Sequence, residues 1–247
     1  DNVLRLCILS ALRSSRSQAS VVMNADRVIK RVHSVFQSND PNERALAVWA
    51  FEALSPVLKD HHRIHSDIRD ALASTNEHEQ RACAHASASL SGVSASMAES
   101  SSSSVSRLAL SVTTSPTLRI LMLRVLSRFH HTPKMATQAS QVIHQVLLDY
   151  PTRDVAIECV RALTRLTTSS GVGIGTCLST LLDTARKEAR SELRRCAASA
   201  LSSFTPASLV VWGAPPEHLV AAAAESSDPM ISISLMRTVS LLAARTG

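Results

Sequence analysis

The stretch VIKRVHSVFQSNDPNERALAVWAFEAL, residues 28–54, decides the fold of this chain. Its first part spaces apolar side chains three and four residues apart, which is the pattern of one buried helix face. A polar break follows, in which Asp40 is suited to cap a helix and Pro41 to begin it. The rest, from about residue 42 to residue 54, is again helical, so we predict a hairpin of two helices. The apolar stripe of the first helix consists of Val28, Ile29, Val32, Val35 and Phe36.

A leucine at the end of an apolar helical stretch recurs along the chain at nearly constant spacing. The intervals are 36, 36, 37, 38 and 41 residues. Two-helix repeats of the HEAT and armadillo classes have this period, and such hairpins bury their apolar faces by stacking on their neighbours. We therefore predict an all-α fold, an α-solenoid of HEAT/armadillo-type helical hairpins. The marker leucines, as we name them, are Leu54, Leu90, Leu126, Leu163, Leu201 and Leu242.

The same spacing predicts the domain organisation. We expect a single α-solenoid domain over residues 1–247, with about six two-helix repeats. The start at Asp1, without Met, indicates a fragment of a longer chain. The serine run at residues 100–104 is expected to be a flexible loop or a frayed helix start, and residues 203–216 a longer connection. Neither is expected to be a domain boundary, because the leucine spacing continues across both.

The composition favours helices and disfavours sheets. Only 3% of the residues are aromatic and six are glycine, whereas the strong helix formers Ala and Leu are abundant. No segment alternates apolar and polar residues over a sustained length, so no sheet is expected. No apolar run approaches the roughly 18 residues that a membrane span needs, so no membrane partner is expected either.

The charged residues and the cysteines narrow the functional classes. The chain has 26 basic and 20 acidic residues, a formal charge of +6, and nearly all of its basic residues are arginines. Arginine suits forked contacts to carboxylates and phosphates, so we predict an interaction surface, for which nucleic acid is one option. The five cysteines are scattered among apolar neighbours and never form CxxC, which predicts buried thiols and a reducing compartment.

The sequence offers weak candidates for catalysis or metal binding. His61 and His65 have the i, i+4 spacing of two metal ligands, with His62 between them, but a zinc site needs three or four ligands. We therefore expect a solvated helix start there. The glycines of residues 171–175 follow a helix and lack the GxGxxG spacing, which favours a flexible loop between repeats. We predict no catalytic residue, no cofactor and no metal, and hence no enzyme.

Arginines flank two of the marker leucines, two residues before and two residues after each. At 100° per residue, these positions face away from a buried leucine. Because the second helices of stacked repeats adjoin and usually line the concave side, we expect the four guanidinium groups to form one patch for binding a partner: Arg124, Arg128, Arg161 and Arg165. A second candidate cluster, expected along one helix edge with Lys187 beside it, is Arg186, Arg190 and Arg194.

Three interpretations of these arginines stay open. They could form a solvated basic face that pairs with local acids, a docking surface for an acidic partner segment, or a contact to the backbone of RNA or DNA. The scarcity of aromatic side chains argues against a protein that reads single strands by base stacking.

Several strings resemble the Integrator complex subunit 7 family in order and spacing. The agreement extends over about the first 165 residues and thins afterwards. None of the strings is a catalytic signature. They include LRLCIL at 4–9, KRVHSVF at 30–36, SNDP at 38–41, HSDIR at 65–69, FHH at 129–131 and YPT at 150–152.

The resemblance implies a function that the residues alone do not. It implies the N-terminal helical-repeat region of a longer subunit in a nuclear assembly that engages RNA polymerase II, processes the 3′ ends of small nuclear RNAs and attenuates transcription. It also implies that other Integrator subunits are the partners, that contact with the polymerase is indirect, and that cleavage belongs to other subunits. Nuclear localisation rests on the resemblance, since the sequence shows no import signal.

We therefore predict a non-catalytic scaffold of the Integrator complex. The alternatives are a free-standing armadillo or HEAT adaptor or transport receptor that binds peptide segments, and a basic-surface nucleic-acid binder. Such receptors usually line their groove with regularly spaced Trp and Asn, whereas Trp49 and Trp212 occupy different repeat positions.

Overall fold

The computed structural model describes residues 2–15, 24–213 and 216–243, and every regular element in these ranges is an α-helix. The predicted all-α class is thus confirmed. None of the described helices is both long and apolar enough to cross a bilayer. The fourteen helices in the described ranges are α1 (Asn2–Ser14), α2 (Ala25–Phe36), α3 (Pro41–Ala53), α4 (His62–Ala71), α5 (Glu77–Ser91), α6 (Ala95–Leu110), α7 (Pro116–Leu126), α8 (Pro133–Asp149), α9 (Arg153–Ser170), α10 (Ile174–Lys187), α11 (Ser191–Leu201), α12 (Pro206–Trp212), α13 (Pro216–Glu225) and α14 (Pro229–Ala243).

The helices divide into two compact units, Asp1–Phe129 and His130–Gly247. In the first unit, three hairpins follow one another, namely α2 with α3, α4 with α5 and α6 with α7. Their second helices pack in series, α3 on α5 and α5 on α7, while α4 packs on α6 and α1 on α3. The serial contacts of α3, α5 and α7 therefore form one layer of this unit.

The second unit repeats this plan. The pairs are α8 with α9, α10 with α11, and α13 with α14, and the second helices again pack in series, α9 on α11 and α11 on α14. The short helix α12 contacts α10 and α14. That the whole chain forms a single solenoid domain stays a prediction.

The helix starts follow local sequence signals. The Asp40 carboxylate accepts a hydrogen bond from the Asn42 amide at 2.9 Å, and the Asn76 side chain accepts one from the Glu79 amide at 3.0 Å. Each cap satisfies a backbone donor that the first helical turn leaves unpaired. Proline occupies the first turn of α3, α7, α8 and α12, where its missing N–H costs nothing. Four further helices are capped by hydroxyls, those of Ser94, Ser115, Thr132 and Thr205.

The marker leucines belong to the core. Each is at most 8% exposed. Five lie at or near the end of α3, α5, α7, α11 or α14, and Leu163 lies in the second half of α9. The same helices also bury small residues, such as Ala47 and Ala50 in α3 and Ala82 and Ala86 in α5. Because small side chains let helices approach closely, this composition suits stacked second helices.

An ion pair ties α3 to α5 in the first unit. Arg44 Nε lies 2.5 Å from Glu79 Oε1, and Arg44 Nη2 donates to Glu79 Oε2 at 2.8 Å. The Glu79 side chain is 3% exposed and also accepts a hydrogen bond from the Ser74 hydroxyl at 2.6 Å. The hydrogen bonds from Arg44 hold the pKa of Glu79 below its usual value, against the effect of burial. This buried carboxylate is therefore charged and paired.

Two predicted loops are helical instead. The serine run at residues 100–104 lies inside α6, where the Ser101 hydroxyl is buried and donates to the Met97 carbonyl at 2.7 Å. Local bonds of this kind satisfy serine hydroxyls inside a helix, so the run packs without breaking it. The predicted connection at 203–216 contains α12, which the Thr205 cap and Pro206 begin; residues 214 and 215 lie outside the described part.

Candidate protein-binding surface

The predicted arginine pairs lie on the solvent side of second helices. Arg124 in α7 and Arg128 just after its end are exposed, as are Arg161 and Arg165 in α9. Each pair therefore faces away from its buried marker leucine, as the helical periodicity predicts. The first pair belongs to the first unit and the second pair to the second unit. One joint patch of four guanidinium groups stays a prediction.

In the first unit, side chains from α1, α3 and α5 form a cluster on the layer of second helices. The Arg13 guanidinium lies 4.7 Å from the centroid of the Trp49 ring and donates to Glu52 Oε2 at 3.2 Å. The Trp49 and His85 ring centroids are 5.0 Å apart, and the Ser89 hydroxyl donates to Glu52 Oε1 at 3.3 Å. These contacts link three neighbouring helices through large side chains. We name this group the Trp49 cluster.

The first arginine pair lies against this surface. Burial lowers the pKa of His85, and the negative charge of Glu52 opposes this shift. The positive charge of Arg124 lowers the pKa further, as do those of Arg13 and Arg81. The aliphatic part of the Arg128 side chain lies close to Gly92, at the end of α5. A Cβ atom on Gly92 would stand 3.7 Å from Arg128 Cδ. The pair is therefore partly engaged within its own unit.

In the second unit, the layer of second helices carries a groove of about 840 Å³ between α9, α11 and α14. Arg161 and Arg165 line it, as do Arg153 and Arg195, which the sequence analysis did not single out. Small side chains of α11 and the turn after it form part of the lining, and they leave this space open: Cys196, Ser199, Ala200 and Ser203. We name it the second-unit groove.

Ion pairs surround the groove. Arg153 pairs with Glu192 across α9 and α11, and Arg195 Nε donates to the Asp228 carboxylate at 2.6 Å. That bond holds the pKa of Asp228 below its usual value. The partners are separated by 39 and 33 residues, which is about one repeat. A search of the sequence for opposite charges one period apart would have found both arginines.

Arg161 has a looser acidic neighbour. Its Nη1 lies 3.9 Å from Glu158 Oε2, on the same helix, and 59% of its side chain is exposed. The Glu158 side chain is only 6% exposed, so this is a long contact to a buried carboxylate and is weaker than a hydrogen bond. Most of the Arg161 side chain therefore faces the solvent of the groove.

The second predicted arginine cluster does not follow one helix edge, and that prediction is wrong. α10 ends at Lys187 and α11 begins at Ser191, so Arg190 is the residue that precedes α11. Glu188 has an extended backbone, with ψ of 135°, which interrupts the rotation of 100° per residue that the prediction assumed. Arg194 is half-buried in α11.

The arginines of this second cluster have intramolecular partners. Arg190 Nε donates to Glu188 Oε1 at 2.9 Å, and Arg190 Nη1 donates to the Pro151 carbonyl at 2.6 Å. Arg186 Nη2 donates to Glu225 Oε2 at 2.9 Å. Two of the three residues thus hold neighbouring segments of the second unit together. Their role in partner binding stays a prediction.

The histidine segment begins a helix, α4, and His62 is exposed as predicted, but His65 is not solvated. His65 is 2% exposed, and its Nε2 donates to the Leu58 carbonyl at 2.8 Å. Burial lowers the pKa of His65, so the neutral ring is favoured. Sequence spacing could not show this, because Leu58 lies in the preceding turn. Over the described ranges, no three His, Cys, Asp or Glu side chains gather as a metal site.

Most cysteines are buried, as predicted. Cys83, Cys159 and Cys177 lie in the core, where burial raises the pKa of each thiol, that of Cys159 to about 12. Cys7 is exposed, and Cys196 is half-buried in the groove. A raised pKa disfavours the thiolate, so the three core thiols behave as small apolar side chains.

The glycine segment joins two helices. Residues 171–173 connect α9 to α10, and Gly171 and Gly173 have φ of 70° and 68°, values that favour glycine. Gly175 already lies inside α10. The glycines therefore serve the turn, and no strand precedes them as a phosphate-binding fingerprint would need.

Comparison with known proteins identifies the family. The sequence profile described as Integrator complex subunit 7, N-terminal, matches residues 1–246, well beyond the part in which the strings agree. This chain belongs to that family.

Curated relatives agree with this assignment. Integrator complex subunit 7 of Mus musculus is 29% identical over 209 residues, which cover 83% of this chain and 22% of that protein. The Drosophila melanogaster protein is 29% identical over 183 residues, 74% of this chain and 18% of that protein. The chain thus spans about a fifth of the length of the curated relatives it matches.

Solved structures with low sequence identity share the fold. An archaeal HEAT-like repeats protein from Thermococcus onnurineus NA1 matches with a TM-score of 0.55 and 14% identity, over 96% of this chain and 97% of that one. A designed armadillo repeat protein matches with a TM-score of 0.52 and 12% identity, over 86% of this chain and 98% of that one. These likenesses confirm the predicted HEAT/armadillo-type fold.

Proposed function

We propose that this chain is a scaffold region of an Integrator complex subunit 7, which holds other subunits by protein–protein contacts and catalyses no reaction. The family match over residues 1–246 is the observation that carries this proposal. The fold supports it, because in each unit the hairpins pack in series and present the outer faces of several helices to solvent.

The finer roles follow from the family. Through the assembled complex, the chain supports the processing of small nuclear RNA 3′ ends and the attenuation of transcription by RNA polymerase II. Other Integrator subunits are its direct partners, the polymerase is reached through them, and the complex acts in the nucleus. The described surface supports such contacts with exposed arginines, which are frequent at protein interfaces.

The second-unit groove favours a second candidate function, that of an adaptor which binds peptide segments. The tryptophans do not support a receptor of the armadillo transport type. Trp49 belongs to the Trp49 cluster, whereas Trp212 ends α12 and donates from Nε1 to the Ser179 hydroxyl at 2.9 Å. They occupy different positions relative to the marker leucines, five before Leu54 and eleven after Leu201. Peptide binding is therefore better treated as one activity of a scaffold.

A pull-down tests the proposed scaffold role. The tagged chain is incubated with individually purified Integrator subunits, and the archaeal HEAT-like repeats protein serves as a control of the same fold from another family. We expect the chain to retain at least one subunit that the control does not retain. Retention of none of them, or equal retention by both proteins, would contradict the proposal.

A further inference from the structure

The second-unit groove has the shape of a binding site for a chain segment. Its volume of about 840 Å³ is within the range of about 300–1,000 Å³ that is usual for ligand pockets. It lies entirely between helices of the second unit, so it needs no other part of the chain. The small residues of α11 let an occupant approach the helix backbone closely.

The charges that line the groove select the occupant. Arginines supply four of its lining side chains and glutamate one, Glu192. Asp228 pairs with Arg195 and Glu158 lies near Arg161, so four positive charges less three negative charges leave an excess of one. Arg195 is held at Nε by Asp228, yet 53% of its side chain is exposed. Arg161 is held only loosely. An occupant with carboxylates would offer these guanidinium groups forked, charge-assisted hydrogen bonds.

The rest of the lining favours a polypeptide over a nucleic acid. None of the described lining residues is aromatic, so the groove offers no ring on which a base could stack. The lining also includes the apolar side chains of Ile157 and Met230 and the hydroxyls of Thr168, Ser199 and Ser234. Such a mixture suits a polypeptide segment that carries both apolar and polar side chains.

We propose that the second-unit groove binds an extended acidic polypeptide segment, whose carboxylates meet Arg161, Arg165 and Arg195. This proposal deepens the scaffold role, because it names the chemistry of one partner segment and the helices that receive it. Carboxylates of the segment face the arginines of α9 and α11, and its apolar side chains pack on Ile157 and Met230.

Fluorescence anisotropy on the full chain tests the proposal. The probe is a labelled dodecapeptide in which Asp and Glu alternate with Leu and Ser, and a peptide with Lys in place of the acids is its control. We expect saturable binding of the acidic peptide alone. The double variant Arg161→Glu/Arg165→Glu should raise its Kd by about tenfold or more, because each lost contact is charge-assisted.

Two further variants separate the groove from general electrostatics. Arg107→Glu/Lys134→Glu makes the same change in net charge at exposed sites outside the groove, and its Kd should stay within about twofold of the wild type. Ser199→Trp adds no charge but fills the groove, and it should weaken binding as the arginine variant does. The circular dichroism and thermal unfolding of each variant confirm that it is folded.

Several outcomes would overturn the proposal. These are no binding of the acidic peptide by the wild type, equal loss in the Arg107/Lys134 variant, or unchanged affinity in folded Ser199→Trp. Preferential binding of a single-stranded RNA dodecamer over the peptide would identify a nucleic-acid groove instead. The assay contains no Integrator subunit, so its failure is distinguishable from failure of the pull-down.

Discussion

The two units share stacked hairpins but differ on the exposed layer of their second helices. In the first unit, the rings of Trp49 and His85 touch each other and connect α3 to α5. In the second unit, the half-buried thiol of Cys196 lines an open groove. All three residues stand five positions before a marker leucine. The size of the side chain at one repeat position therefore helps to decide whether the layer is filled or open.

The comparison extends to the arginines. Arg13 and Arg44 of the first unit contact Trp49, Glu52 and Glu79 across neighbouring helices. In the second unit, Arg161 lies mainly in solvent. Arg13 and Arg44 thus join helices of the first unit, as Arg195 does in the second unit, whereas Arg161 provides binding surface.

The largest effects should be equal in the two units, because their cores are alike. Leu90→Ala and Leu201→Ala each remove a fully buried side chain and should each lower the free energy of unfolding by about 3 kcal/mol. Hydrogen exchange read separately on peptides from α5 and α11 measures the two effects. Leu148→Ala, at a residue that is 74% exposed, should change little. A cost below about 1 kcal/mol at either marker leucine would contradict its core role.

A second pair of substitutions should lower the free energy of unfolding by different amounts in the two units. Arg44 and Arg153 both stand ten positions before a marker leucine. Arg44→Ala strands the buried Glu79 carboxylate and should cost about 3 kcal/mol, whereas Arg153→Ala removes an exposed pair and should cost less than about 1 kcal/mol. Denaturant unfolding gives both values. Equal costs would show that burial of the carboxylate does not decide the strength of these pairs.

Acid should weaken the Arg44–Glu79 pair of the first unit. Arg44 holds the pKa of Glu79 below that of the unfolded chain, so the pair stabilises the fold fully above the unfolded pKa. This stability is lost as pH falls through the folded pKa, because the unfolded chain binds the proton first. Glu79→Gln should therefore flatten the acid limb of a plot of unfolding free energy against pH. An unchanged slope in Glu79→Gln would refute this assignment.

The smallest effects concern exposed arginines. Arg13→Ala removes the contact with the Trp49 ring and the pair with Glu52, and should cost about 0.5–1 kcal/mol. Arg161→Ala removes a contact of 3.9 Å to the Glu158 carboxylate, which is too long for a hydrogen bond, and should cost less than about 0.5 kcal/mol. Thermal unfolding of both variants provides the test. A larger loss at Arg161 than at Arg13 would reverse the contrast between the units.

Much of the fold could be predicted from local sequence. Asp40 with Pro41 and the stripe from Val28 to Phe36 act within a few residues, so they define a helix start and a buried face without knowledge of distant contacts. The prediction was wrong at two places, the serine run and the segment around Glu188. The hydroxyl of Ser101 bonds its own helix and keeps the serine run helical. The backbone is extended at Glu188, so α10 ends before it, whereas the spacing of the arginines predicted one continuous helix.

By itself, the sequence determined the helical class, the repeat period, the leucine core and the family, because these depend on periodicity and on the order of short strings. Only the tertiary structure decided that Arg161, Arg165 and Arg195 share a groove and that Arg44 meets a buried carboxylate. Both depend on how side chains about one repeat apart meet when helices stack. The relative position of two stacked helices is set by the packing of many side chains at once, and no local sequence pattern encodes it.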